Sequence, residues 1–102
     1  MKSAAPAASV LDEVTTWPGV STEPTSRGAT AIVFEGHQLG HLHRGRRTLD
    51  FPLSDDRRTE VLKAARANEW FPGWVSKPLA TDADAKDAIA LLRQSYDELR
   101  AQ

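Results

Sequence analysis

Cysteine is absent from the 102-residue chain, which excludes disulfides, thiolate metal sites and cysteine nucleophiles. That suits a reducing compartment, and the expected location is the cytoplasm. No apolar run approaches the ~18–20 residues of a membrane helix, so no membrane partner is expected. The opening MKSAAPAAS lacks a solid apolar stretch and is not a secretory signal; residues 1–7 read as a disordered tail. Nor is there an excess of either charge. Thirteen basic and fourteen acidic side chains leave a net charge of −1, a poor basis for non-specific nucleic-acid binding. The chain also lacks a solenoid repeat, a GxSxG nucleophile elbow and any flavin or nicotinamide fingerprint.

What is present suits one domain over residues 8–102, with three tryptophans, three phenylalanines and 40% apolar residues to fill a core. Val10, Leu11 and Val14 predict a short helix from Ala8 to Thr16, which Trp17-Pro18-Gly19 ends. Val20 to Pro24 reads as an edge strand, because Pro24 has no N–H for a central ladder. Ala29 to Glu35 is the best strand, apolar on both parities as if covered on both faces. Ser54, Asp55 and Asp56 open a helix to about Asn68 that buries Val61, Leu62 and Ala65. A strand follows near Trp74–Leu79. The last helix starts at Thr81 and carries Ala85, Ala88, Ile89, Leu92, Tyr96 and Leu99 as one apolar stripe. The expected class is α+β, in the order αββββαβα: an antiparallel sheet of about five strands with helices packed on one face.

The centre of that sheet is Gly36 to Leu53, GHQLGHLHRGRRTLDFPL. Gly36-His37 suits a type II′ turn, which sets Phe34 opposite Leu39, Ile32 opposite His41 and Thr30 opposite His43. If Arg44-Gly45-Arg46-Arg47 is the next loop, His43 faces Thr48, Leu42 faces Leu49 and His41 faces Asp50. Alternation then gives two faces. Ala31, Val33, Leu42, Leu49 and Phe51 lie on the first. Ile32, Phe34, Leu39, His41, His43, Thr48 and Asp50 lie on the second.

His41, His43 and Asp50 are thus the candidate site, and three chemistries suit them. Neutral imidazoles with a carboxylate can hold a divalent metal with an open position. Aspartate can orient one histidine as a general base. The group can also hydrogen-bond a polar small molecule, with Ile32, Phe34, Leu39 and Trp74 as apolar walls. A solvated cross-strand pair, worth ~0.2–1 kcal/mol, is the plainer alternative. Trp70, Phe71 and Trp74 either line an apolar pocket or plug the end of the core. An uncovered Ile32, Phe34 and Leu39 would instead suit a homodimer interface with a second copy of the chain. Arg44, Arg46 and Arg47, with Arg57 and Arg58 in the following helix, form the candidate phosphate or nucleic-acid site. A solubilising loop balanced by Asp55, Asp56 and Glu60 is the plainer and favoured account of them.

Gly40-His41-Leu42-His43, Asp50, Gly73-Trp74-Val75-Ser76 and Leu91-Leu92-Arg93-Gln94-Ser95-Tyr96 resemble the luciferase-domain family of small bacterial proteins and fungal domains. The likeness spans about Val14 to Leu99. It implies His41, His43, Asp50 and Trp74 as site positions. Many members carry one or two histidines just before the glycine-tryptophan, where this chain has Glu69-Trp70-Phe71. The order of elements is similar, more loosely, to the YjbR-like proteins.

Overall fold

The computed structural model describes residues 6–102. Along the chain run α1 (Pro6–Val14), β1 (Val20–Pro24), β2 (Thr30–Phe34), β3 (His37–His43), β4 (Thr48–Pro52), α2 (Asp55–Lys63), β5 (Asn68–Glu69), β6 (Trp74–Pro78) and α3 (Asp82–Arg100). The strands form one antiparallel sheet in the order β1-β2-β3-β4-β6-β5. The helices pack on one face of it, so the α+β class holds. The strand beyond the five expected is β5, two residues of the stretch that leads into the aromatic turn. Among the described residues no helix is long and apolar enough to cross a membrane.

Two boundaries differ from expectation for identifiable reasons. Pro6 and Ala7, assigned to the tail, begin α1; a proline at the first helical position loses no hydrogen bond, since its N–H would have no partner there. Residues 1–5 of that tail lie outside the described residues. At the other boundary, α2 stops at Lys63 rather than running to Asn68. Ala65 turns to φ 57°, its N–H donates to the Leu62 carbonyl, and the Arg66 N–H reaches back to Val61. This is a Schellman closure with alanine where glycine is usual, and it leaves Ala65 exposed instead of buried.

The β2–β3 register also departs from expectation, and more depends on it. The turn is Glu35-Gly36, with both residues at positive φ (48° and 84°), the type I′ geometry that matches strand twist. It sits one residue earlier than Gly36-His37. Val33 pairs with Gln38 but Ile32 pairs with Gly40, so Leu39 is the extra residue of a bulge. Ala31, not Ile32, therefore faces His41, and Thr30 faces Leu42. This one-residue shift turns β2 over. Ile32 (0% exposed), Phe34 and Leu39 (1%) belong to the core beneath the helices, with Leu42, Leu49, Phe51 and Val75. Ala31 and Val33 take the other face.

Polar ties fasten the helices to that core. Tyr96 lies 5.2 Å from Trp17 and edge-on to Phe34 at 4.9 Å, and its hydroxyl donates to the Pro18 carbonyl at 2.6 Å. The Arg57 guanidinium donates to Ser95 Oγ, Glu98 Oε1, the Leu91 carbonyl and Gln94 Oε1, joining α2 to α3. Lys77 is 5% exposed; its Nζ donates to the Arg66 carbonyl at 2.8 Å and lies 3.0 Å from Asp87 Oδ2. Arg66 pairs with the same carboxylate. Thr81 and Asp84 complete a reciprocal capping box at the start of α3.

Two outcomes are expected. Ala65→Gly should stabilise the protein by about 0.5–1 kcal/mol in denaturant unfolding, because glycine carries no penalty at positive φ. Hydrogen bonding from Arg66 first, then from Lys77, holds the Asp87 carboxyl below its ordinary value of 3.8. Its contribution to stability is therefore complete above that value and is lost as pH falls through the lower folded one. Asp87→Asn should unfold more readily at neutral pH and show a shallower loss of stability in acid.

Candidate functional site

Leu49 and Phe51 are wholly buried under the helices, so Asp50 between them projects from the opposite face. The β3–β4 register is the one anticipated: His41 opposite Asp50, Leu42 opposite Leu49, His43 opposite Thr48. His41, His43 and Asp50 consequently share one side of the sheet. Gly40 lets the two strands lie close. A Cβ at that position would stand 3.0 Å from the Asp50 carbonyl oxygen and 3.1 Å from Phe51 Cβ.

Asp50 is 2% exposed. Its Oδ2 lies 3.0 Å from His43 Nε2, the diagonal neighbour, and 3.5 Å from Arg46 Nη2. Asp50 Oδ1, His41 Nε2 and Thr48 Oγ1 are buried and have no hydrogen-bond partner among the described residues. Aromatic side chains stand around this floor. Trp74 lies 5.3 Å from the His41 ring, Phe71 meets Trp74 edge-on at 6.4 Å, and Trp70 lies 5.3 Å from Phe71. The Arg46 guanidinium sits over Trp70 at 5.1 Å, a cation–π contact. With Arg27 from the β1–β2 turn, these residues line a cleft of ≈ 640 Å³, a volume within the roughly 300–1,000 Å³ typical of small-molecule sites.

His41 titrates below its ordinary 6.5, mainly because partial burial penalises the charged ring and secondarily because His43 is near; Asp50 opposes both effects. Its imidazole is therefore neutral at pH 7. Among the described residues no group of three histidines or carboxylates converges on a common point. His43 Nε2 lies 3.0 Å from Asp50 Oδ2.

The expected walls divide. Trp74 lines the cleft, whereas Ile32, Phe34 and Leu39 are in the core on the far side of the sheet, because the bulge turned β2 over. Trp70 and Phe71 line the cleft rather than plugging the core, at 42% and 54% exposure. The five arginines do not form one surface. Arg46 belongs to the cleft, Arg44 and Arg47 border a separate hollow near the start of α1, Arg57 is held by α3, and Arg58 pairs with Asp55. Arg27 carries no sequence signal, since a turn arginine is ordinarily just solvated.

Residues 36–95 match the luciferase-domain family. The chain belongs to that family. The matched stretch contains His41, His43, Asp50, Trp70, Phe71 and Trp74, so within this luciferase-domain protein most of the cleft comes from family sequence. No curated protein and no solved structure matches the chain.

The electrostatics predict a specific titration. By NMR, His41 should titrate below 6.5. Asp50→Asn should lower its pKa further by removing a stabilising negative charge, and His43→Gln should raise it. The sign for folding follows: the depressed value gives stability that is complete above pH 6.5 and declines as pH falls through the folded pKa.

Proposed function

We propose that this protein binds a compact organic molecule in the cytoplasm, seated in the cleft on the face opposite the helices. One observation carries the reading: a nearly inaccessible carboxylate, with one oxygen unpartnered, lies at the bottom of a hollow walled by three aromatic rings. A purely structural aspartate has its oxygens satisfied, because each unpaired buried acceptor costs about 1–3 kcal/mol. The absence of cysteine supports the compartment. The contact between His43 and Asp50 also suits proton transfer, with the carboxylate orienting the imidazole.

A thermal-shift screen of metabolites and divalent metals tests this. A ligand at about 100 times its Kd adds roughly 2.7 kcal/mol of stability, readily seen as a rise in Tm. That rise should be lost or strongly reduced in Trp74→Ala and in His43→Gln. If every stabilising compound works equally well on both variants, the cleft is not the site.

The exposed Trp70 and Phe71 favour a second reading, in which the rim joins two copies of the chain. Light scattering over a concentration series separates the two. A tight dimer that Trp70→Ala and Phe71→Ala convert to monomer would support association; a monomer at all concentrations would exclude it.

A further inference from the structure

On the small-molecule reading just given, the polar atoms of the cleft restrict which molecule fits. Asp50 Oδ1 can only accept a hydrogen bond, and His41 Nε2 is buried beside it without a partner. The two residues are direct cross-strand partners, a pairing that holds Cβ atoms about 4.5–5.5 Å apart. A single ligand hydroxyl satisfies both when His41 carries its proton on Nε2, donating to the carboxylate and accepting from that N–H. An ammonium group would serve Asp50 as well, but the rest of the cleft argues against it. Arg46 lies over Trp70 and reaches Asp50 Oδ2 at 3.5 Å, so one carboxylate faces two guanidinium groups, and Arg27 pairs with no carboxylate among the described residues. Two guanidinium groups around a hollow repel a cation and attract an anion. Flat aromatic rings wall the cleft, and they suit a flat ring.

We infer that the cleft takes hydroxylated aromatic carboxylic acids, with the hydroxyl on Asp50 and His41, the ring among Trp70, Phe71 and Trp74, and the carboxylate toward Arg27 and Arg46. No element of this geometry calls for a metal, and the arginines give the ligand its charge selectivity.

Calorimetric titration of the full chain with three matched probes tests the inference: 4-hydroxybenzoate, benzoate and 4-hydroxybenzyl alcohol. The first should bind roughly 10- to 100-fold more tightly than either of the others, since each lacks one of the two polar contacts. Asp50→Asn should erase the preference for the hydroxyl, and Arg46→Gln should weaken the preference for the carboxylate. If Asp50→Asn does not fold, His41→Phe provides the same hydroxyl test. Equal binding of benzoate and 4-hydroxybenzoate overturns the inference while leaving a ligand cleft intact. Preferences unchanged in all variants also overturn it, by placing the probe elsewhere. So does silence from all three probes; if another compound then stabilises the protein in a Trp74-dependent way, the broader reading survives.

Discussion

Alternation along β4 is the constraint from which the cleft follows. Leu49 and Phe51 are fully buried among the helices, and removing either would cost about 2–5 kcal/mol. The strand cannot rotate to hydrate Asp50 without exposing both. A carboxylate is thus held where water barely reaches it, although the desolvation of such a charge costs several kcal/mol on its own. His43 and Arg46 offset part of that at one oxygen. The acid is placed by its apolar neighbours rather than by its own pairing, as a rigid core places a polar group mounted on it.

The family segment, residues 36–95, divides into parts with separable physical roles. Gly40 allows β3 and β4 to approach, and His41, His43 and Asp50 stand on the surface so formed. The closing Gln94-Ser95 does not reach the cleft. Its side chains accept from Arg57 and so clamp α2 against α3. The residues that make the resemblance specific therefore include both the cleft face and the brace behind it. Arg27 lies outside the matched segment, on the β1–β2 ribbon, and adds one charge to a cleft otherwise built from family sequence.

How far the sequence could be read depended on whether one parity of each strand was polar. In β4 the run Leu49-Asp50-Phe51 alternates unambiguously, and His43 lies opposite Thr48 as expected. In β2 the residues Ala31, Ile32, Val33 and Phe34 are all apolar and all buried, so hydrophobicity cannot choose a register. The choice was made by Glu35 accepting a positive φ and by Leu39 bulging, and neither leaves a mark in composition. Size did carry information: the larger Ile32 and Phe34 went to the helix side and the smaller Ala31 to the place beside His41. The aromatic turn was legible as either wall or plug; the partnering of β5 with β6 and the Leu53 N–H bonded to the Gly73 carbonyl hold it at the rim.

Both lateral margins of the sheet are poor templates for another strand. On one side β1 ends in Pro24, which has no N–H to offer; on the other β5 is only two residues long. Ribbon-like growth by repeated addition of copies is thereby discouraged at each border. Self-association, where it occurs, is left to side-chain contact across a broad surface instead of backbone ladders.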